Sequence, residues 1–235
     1  MFNNFNVIIN NSSTGYGTAS WVRNCLQVED ISFDTEGRII VFNINGITFC
    51  NIYLKAGTDS ASRASRENYC SSVLPNLLVN RSTTGVAGGD WNSIICKQDA
   101  TNHPESKLSP GLKRLAKLYE WKDSHYSINP SATDFSHYYE VGQTSCATRI
   151  DRQYMWGDVS AINSKYIPVA FSDHLGYCTE MKITKHLGLD TLHRNIKNLK
   201  INNNVASDNL FKERVAAALE NWKDIRKHGL DVLTR

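Results

Sequence analysis

The chain has 235 residues, a length that allows one large domain or two small ones. Hydrophobic residues make up 41% of it and charged residues 21%, an ordinary balance for a folded protein that argues against a disordered chain. The formal net charge is only +3, so charge alone does not identify a polyanionic partner.

Membrane, secreted and zinc-ribbon classes are also disfavoured. No apolar run approaches the ~20 residues that a membrane helix requires, and residues 1–6 lack the basic and apolar regions of a signal peptide. The six cysteines are far apart in sequence, without a C-x-x-C pair. We therefore expect reduced thiols in an intracellular protein, nuclear or cytoplasmic.

The first part of the chain has a pattern typical of β-strands. Apolar runs predict strands over residues 18–22, 38–42 and 47–54. Asn45 and Gly46 separate the second run from the third, and Asn-Gly between two apolar runs is the strongest short signal for a β-hairpin.

Helical and buried-strand patterns follow. Apolar spacing predicts a helix over residues 58–79, with a kink or break at Pro75 because proline cannot continue the helical hydrogen bonds. The small residues of 85–90 predict a buried strand that ends in a loop. Ser109 followed by Pro110 is typical of a helix start.

Three further strands are predicted over residues 148–156, 166–171 and 176–183, and they complete the globular part. Residues 187–206 are polar and rich in asparagine, and an amphipathic helix is predicted after them. We expect this helix to pack on its own domain or on a following one. Its apolar positions are Phe211, Val215, Leu219, Trp222 and Ile225.

The first candidate motif is Gly-Gly-Asp-Trp-Asn over residues 88–92, at the end of the predicted buried strand. Asp90 and Asn92 are two residues apart, so their side chains point to one face and converge on one place. Taken alone, the motif is better explained as a turn stabilised by an Asp or Asn side chain.

The other two motifs come near the end of the globular part. Thr-Arg-Ile-Asp-Arg over residues 148–152 places Asp151 in a half-buried strand, where Arg149 or Arg152 would be its ordinary partner. Ser-Asp-His over residues 172–174 follows an apolar strand, and taken alone it is a weak indication of catalysis.

Together the motifs resemble a known pattern. Tyr53 at a strand end, then GGDWN, TRID and SDH in this order, resemble the endonuclease/exonuclease/phosphatase superfamily. The runs over residues 125–130, 135–138 and 148–152 make the chain more similar to the apurinic-type endonuclease domain of non-LTR (LINE-type) retrotransposons. The resemblance covers about residues 15–183 and is weaker in the tail.

The resemblance implies an α/β (α+β) fold in which two mixed β-sheets pack face to face between helices, a four-layer α/β sandwich. It implies an endonuclease-like domain over residues 1–185, and a linker with an amphipathic helix over 186–235 that leads to a reverse transcriptase region. The implied partner is DNA.

The resemblance also implies roles for the motif residues in phosphodiester hydrolysis. His174 would act as a general base or as a hydrogen-bond donor to the phosphate, oriented by Asp151. Asp90 would position or deprotonate the attacking water, and Asn92 would orient Asp90. Tyr53 would donate to a phosphate oxygen.

By the same resemblance, Asp173 and a glutamate early in the domain would hold Mg²⁺, with Mn²⁺ as an alternative. Ser136 matches a position that reaches the DNA backbone. Basic residues expected to contact phosphates are Lys55, Arg63, Arg66, Arg149 and Arg152. Histidines without metal-ligand spacing, most of them expected to be exposed, are His103, His125, His137, His186, His193 and His228.

Two features of the family pattern are not found ahead of Gly15: a strand with an N-x-N-G motif, and the metal-binding glutamate after a helix and a second strand. The N-x-N-G letters at residues 43–46 fall in the predicted hairpin, and Glu29 and Glu36 are expected in polar connections. We therefore expect a fold that lacks its first strand–helix–strand unit, in a truncated and impaired protein.

The leading hypothesis is a metal-dependent DNA endonuclease from a retrotransposon polyprotein, which nicks target DNA. The first alternative is another phosphoesterase of the superfamily, either an abasic-site endonuclease or a phosphatase. The second alternative is a catalytically dead remnant that binds nucleic acid.

Overall fold

The structure is a computed structural model, and it describes residues 4–13, 15, 17–102, 105, 107–170 and 172–184. The chain divides into two units, Met1–Thr184 and Lys185–Arg235. The predicted linker and amphipathic helix fall in the second unit and lie outside the described residues, as do His103, His186, His193, His228 and Phe171.

Among the described residues the strands are, in chain order, β1 (Phe5–Asn11), β2 (Gly17–Arg23), β3 (Val28–Phe33), β4 (Ile39–Ile44), β5 (Ile47–Tyr53), β6 (Gly85–Asp90), β7 (Lys122–Asp123), β8 (His137–Val141), β9 (Thr144–Thr148), β10 (Asp151–Trp156), β11 (Val159–Pro168) and β12 (Leu175–Ile183). The helices are α1 (Ser60–Asn68), α2 (Leu74–Leu78), α3 (Pro110–Leu118) and α4 (Ser124–Ile128).

A six-stranded mixed sheet forms the centre of the fold, in the order β3-β4-β5-β6-β10-β7. Within it β5 and β6 run parallel, and the other neighbouring strands run antiparallel. A parallel pair requires a crossover connection, and the segment that contains α1 and α2 supplies it.

The sheet is buried on both faces at β4, whose alternate residues point to opposite sides and enter two different cores. Ile39 and Val41 of β4 belong to a core that also contains Leu74 and Leu112 of the helices. Ile40, between them in sequence, belongs to a second core on the opposite face.

Two β-hairpins cover that opposite face. The β1–β2 hairpin contributes Ile8 and Val22 to the core around Ile40. The β11–β12 hairpin contributes Val159 to a third cluster, with Val86 of the central sheet. A cleft of about 510 Å³ is lined by residues of both hairpins and of the sheet, including Trp21, Phe42, Phe49, Gln153 and Tyr177.

The expected pair of mixed sheets is therefore found only in part. A mixed α/β fold with a mixed central sheet is confirmed. The prediction of a second mixed sheet is wrong for the described residues, because two separate two-stranded antiparallel hairpins lie where that sheet was expected. Among the described strands none joins the two hairpins into one sheet.

Local signals in the sequence account for several of the observed elements. The hairpin between β4 and β5 turns at Asn45 and Gly46, which have φ angles of 50° and 73° as a two-residue turn of this type requires. The helical segment is interrupted by a π-helical turn, Tyr69–Val73, directly before Pro75. Ser109 caps α3 by accepting a hydrogen bond from the Leu112 amide.

The strand predicted over residues 148–156 is divided in the structure. β9 ends at Thr148 and β10 begins at Asp151, because the amides of Ile150 and Asp151 both donate to the Ser136 hydroxyl, at 3.0 Å each. Glu29 was expected in a connection and instead lies in β3, whereas Glu36 follows β3 and pairs with Arg38.

The six cysteines are free, in agreement with the expected reduced thiols. Burial raises the pKa of the Cys50 and Cys70 thiols to about 12, so neither is an activated nucleophile. Among the described residues, none of the helices is both long and apolar enough to cross a membrane.

Gly89 allows β6 to lie directly against β5. Its φ is +140°, and a Cβ atom built on it would lie 1.9 Å from the backbone oxygen of Ile52 in the neighbouring strand. We expect Gly89→Ala to lower the free energy of unfolding by about 3 kcal/mol or more, since a backbone atom cannot move aside without breaking the ladder.

Gly142 is the matched control, because it also has a positive φ, +62°, but nothing lies within 4 Å of the position that a Cβ atom would take there. Gly142→Ala should lower the free energy of unfolding by only about 1 kcal/mol, through backbone strain alone. Urea denaturation followed by tryptophan fluorescence measures both. Equal losses for the two variants would contradict the close approach at Gly89.

Candidate active site

Three adjacent strands of the central sheet bring three predicted site residues into one row. Tyr53 ends β5 and is the register partner of Asp90 in parallel β6. Asp90 is in turn the partner of Asp151, which begins antiparallel β10. Residues 53, 90 and 151 are far apart in sequence, and the sheet register alone makes them neighbours.

Asn92 holds the carboxylate of Asp90. The Asn92 amide N–H donates to Asp90 Oδ1 at 2.8 Å, and its side-chain Nδ2 donates to Asp90 Oδ2 at 2.8 Å. Nδ2 also donates to the Leu54 carbonyl at 3.0 Å, which ties the loop to the end of β5. Trp91, which lies between Asp90 and Asn92 in sequence, is fully buried in the core that contains Leu74 and Leu112, and it anchors this loop there. Asn92 therefore lies where it can orient Asp90.

His174 and Asp151 form a hydrogen-bonded pair. His174 Nδ1 lies 2.8 Å from Asp151 Oδ2, and both side chains are partly exposed. Backbone contacts hold the histidine there: the Leu175 amide donates to the Ser136 carbonyl at 2.6 Å, and residue 174 forms a β-bridge with His137. The partner of Asp151 is therefore His174, as the resemblance implied, and not Arg149 or Arg152, the ordinary alternative from the strand itself.

The ionisation of the site is shifted from that of free side chains. Burial, and next the charge of Asp151, raise the pKa of Asp90 to about 7. The hydrogen bond to Asp151 raises the pKa of His174 despite partial burial. The site therefore combines a carboxylic acid that titrates near neutrality with an imidazole that retains its proton to a higher pH than a free histidine side chain does.

Two cations lie close enough to Asp90 to act on its charge, and one of them was missed in the sequence. Lys107 is partly buried before α3; burial and the charge of Arg66 lower its pKa, while Asp90 opposes that shift. Arg66 is buried and donates from Nη1 to the carbonyls of Lys55 and Gly57, at 2.8 Å each. The only sequence signal for Lys107 was its place just before the cap of α3.

Asp173 lies at the exposed rim of the site. Its side chain is 70% exposed, and His137 Nε2 lies 3.1 Å from its Oδ2. Two groups among the described residues could hold a metal ion: Asp90, Asp151 and His174 form one, and His137, Asp173 and His174 form the other. Neither Glu29 nor Glu36 belongs to either group.

Arg149 and Arg152 were expected to contact DNA. This prediction is wrong, because the side chain of each is buried and only 1% of the residue is exposed. Arg149 Nη2 lies 2.8 Å from Asp123 Oδ2, and Arg149 Nε lies 3.1 Å from Asp99 Oδ1. Arg152 also pairs with Asp99. Both arginines therefore belong to a buried cluster of charges beneath the site.

Three further expectations are corrected by burial. Ser136 is fully buried and accepts hydrogen bonds from the backbone of β10, so it does not reach the DNA backbone. Arg66 is buried as well, with its Nη1 bonded to the loop after β5. His125 is buried between Ser164 and Asp134 instead of exposed. Lys55 and Arg63 are exposed, and their contact with phosphate stays a prediction.

The buried cluster should contribute strongly to stability. Although burial opposes it, the charges of Arg152 and Arg149 hold the pKa of Asp99 well below its ordinary value. Asp99→Asn removes the shared negative charge and leaves two buried guanidinium groups underpaired. We expect a loss of about 3–5 kcal/mol in the free energy of unfolding, measured by urea denaturation.

Arg114→Ala is the matched control for this experiment. Arg114 forms an ion pair with Glu67 at 3.6 Å, and its side chain is 70% exposed. An exposed ion pair of this kind should contribute less than about 1 kcal/mol to the free energy of unfolding. If Asp99→Asn cost no more than Arg114→Ala, the buried cluster would not support the fold.

The pKa of Asp90 should depend on Asp151. The charged groups that act on Asp90 are Asp151, His174, Lys107 and Arg66, and Asp151 has the largest effect among them. Because Asp151 raises the pKa, Asp151→Asn should lower it from about 7 toward the ordinary aspartate value. Carboxyl ¹³C NMR titration of the metal-free protein measures this shift.

Asp158→Asn is the control for that titration, because Asp158 is exposed in the turn after β10, at the end of this strand away from Asp151. It should leave the pKa of Asp90 unchanged. A pKa of Asp90 that does not fall in Asp151→Asn would mean that the two carboxylates do not interact.

Comparisons with known proteins identify the fold. No protein-family model and no curated protein matches the sequence. An AP endonuclease from Archaeoglobus fulgidus superposes with a TM-score of 0.62 at 17% identity, covering 77% of this chain and 80% of the other.

Two structures from Neisseria agree with this result. The 3′-5′ exonuclease NExo from Neisseria meningitidis gives a TM-score of 0.60 at 17% identity, covering 75% of this chain and 79% of the other. A point variant of NExo, described as a 3′ phosphatase and bound to a product DNA hairpin, gives 0.57 at 15% identity, covering 76% and 80%. This chain therefore shares the fold of these three solved structures.

Proposed function

We propose that this protein hydrolyses phosphodiester bonds in DNA as an endonuclease. The observation that carries the proposal is the hydrogen bond between His174 and Asp151 beside the half-buried carboxyl of Asp90, where the strands of the central sheet end, in a fold that is shared with nucleases. The sequence motifs around these residues support the same chemistry. The proposed substrate is DNA, which the Neisseria relative is also described as binding.

The ionisation of the site assigns the proton transfers. Asp90, with its pKa of about 7, accepts a proton from the water that attacks phosphorus, because a base is most effective when its pKa lies near the working pH. The bond from phosphorus to the departing oxygen breaks, and that oxygen takes a proton from solvent. Asn92 fixes the orientation of this carboxylate through two hydrogen bonds.

His174 has the complementary role. The hydrogen bond to Asp151 raises its pKa, which favours the protonated imidazole; in that form His174 donates a hydrogen bond to the phosphate, and Asp151 fixes its orientation through Nδ1. Tyr53, beside Asp90 in the sheet, donates to another phosphate oxygen, and the partly buried charge of Lys107 favours the approach of the anion. Neighbouring groups whose environments shift their ionisation in this way are typical of acid–base pairs in enzymes.

The magnesium ion implied at Asp173 does not fit the described residues. Mg²⁺ takes oxygen ligands, whereas the donor atoms grouped with the Asp173 carboxylate are ring nitrogens of His137 and His174. Among the described residues no glutamate joins that group. No step above is therefore routed through an ion at Asp173.

We also keep as a proposal that this domain comes from a LINE-type retroelement, with a reverse transcriptase region encoded beyond it. Its support is the sequence resemblance over residues 125–130, 135–138 and 148–152. An in-frame reverse transcriptase region on the 3′ side of this coding segment is the expected result. An intact gene without one would contradict it.

Plasmid nicking tests the proposed activity. Supercoiled plasmid is incubated with residues 1–235 in MgCl₂, in MnCl₂ and in EDTA, and open-circular product is measured. We expect nicking by the wild-type protein, reduced about 10²- to 10⁴-fold by His174→Ala and by Asp90→Asn, because each removes one proton-transfer or phosphate-binding group.

The exposed Asp158→Asn should nick at the wild-type rate, which controls for a general loss of charge. The same protein is assayed on DNA substrates that carry a single abasic site or a 3′ phosphate. Faster reaction with either substrate than with plasmid would identify the corresponding superfamily alternative. A folded wild-type protein that cuts none of these substrates, or one whose cutting survives His174→Ala, would refute the proposal and favour the nucleic-acid-binding remnant.

A further inference from the structure

A cluster of three donor groups lies at the rim of the site, and the proposed hydrolysis uses only one of them. The groups are the imidazoles of His137 and His174 and the carboxylate of Asp173. One ligand atom from each lies within 4.8 Å of the others. His137 belongs to none of the roles that the sequence motifs implied.

The backbone holds the two imidazoles together. Residues 137 and 174 form a β-bridge, and the ring centroids of the two histidines are 4.4 Å apart. The Leu175 amide donates to the Ser136 carbonyl, one residue along on each side of that bridge. Main-chain hydrogen bonds therefore hold the backbones of residues 137 and 174 next to each other.

The donor set identifies the class of ligand. Two imidazole nitrogens and one carboxylate oxygen, with a further position open to water, are the ligands of zinc in many three-ligand sites. Magnesium and calcium take oxygen ligands instead. We propose that His137, Asp173 and His174 together bind one Zn²⁺ ion.

Two surrounding features support zinc at this place. A histidine that ligates a metal usually donates its other ring N–H to a carboxylate, and His174 Nδ1 lies 2.8 Å from Asp151 Oδ2. This leaves His174 Nε2 for the ion. The carboxylate of Asp173 is 70% exposed, so an ion reaches the site from solvent and Asp173 can turn toward it.

Binding of Zn²⁺ has a consequence for the proposed hydrolysis. His174 has one ring nitrogen bonded to Asp151, so zinc and the DNA phosphate require the same remaining nitrogen. Zinc at this site therefore excludes the phosphate contact and inhibits cutting. This consequence rests on the proposed function, whereas the binding of zinc itself does not.

Isothermal titration calorimetry with ZnCl₂ tests the site on residues 1–235 kept reduced. Because other histidines and cysteines of the chain also take zinc, the decisive quantity is the difference between variants. We expect His137→Gln and Asp173→Asn each to abolish one binding event or weaken it at least about tenfold. Asp173 is exposed, so its variant tests the site without disturbing the core.

Glu140→Gln is the matched control, because Glu140 is an exposed carboxylate on the same strand as His137, outside the cluster. Its zinc isotherm should equal that of the wild type. Asp151→Asn should weaken the same event about 10- to 100-fold by releasing the ring of His174. Identical isotherms for wild type, His137→Gln and Asp173→Asn would overturn the site.

The plasmid assay separates this inference from the proposed function. Zinc should inhibit wild-type nicking at concentrations at least about tenfold lower than for Asp173→Asn. A protein that loses a zinc-binding event in His137→Gln but never cuts DNA would refute the endonuclease proposal and support the zinc site. A protein that cuts DNA while its zinc binding is unchanged in both variants would refute the zinc site alone.

Discussion

Two buried arginines hold together the segments on which the candidate active site stands. Arg149 lies just before β10 and Arg152 is its second residue, and their guanidinium groups pair with Asp99 and Asp123 from distant parts of the chain. Buried charges are tolerated only when they are paired, so this part of the chain has few alternative arrangements. Asp151 lies between the two arginines in sequence, and its position follows from theirs.

Ser136 extends this constraint to the histidine. Its hydroxyl accepts the amides of Ile150 and Asp151, and its carbonyl accepts the amide of Leu175. One buried serine thus attaches the beginning of β10 and the beginning of β12 to the same point. The short distance between Asp151 and His174 therefore depends on the hydrogen bonds that the hydroxyl and the carbonyl of Ser136 accept, so this buried serine supports a site that it does not line.

Features that depend on local sequence could be predicted from the residues themselves. Of the features that depend on distant partners, the pairing of Asp151 with His174 was implied by the family resemblance, whereas the buried ion pairs were not foreseen. The turn at Asn45 and Gly46 needs only the conformational preferences of those two residues. Asp90 was recognisable from its motif at a strand end. Arg149, by contrast, looks like an exposed phosphate contact in sequence, because its partner Asp99 is 50 residues away. Strand order and burial decide such cases, and neither is visible in a short motif.

The ionisation of Asp90 resolves an electrostatic difficulty for a site that would receive phosphate. Asp90 and Asp151 are adjacent carboxyls, and two full negative charges would repel the substrate. With its pKa raised to about 7, Asp90 takes up a proton near neutral pH far more readily than an ordinary aspartate. The basic groups Lys107, Arg66 and His174 act on the same carboxyl with the opposite sign. The net charge of +3 therefore says little about this site, because a carboxyl that titrates near neutrality and the nearby basic groups set its local potential.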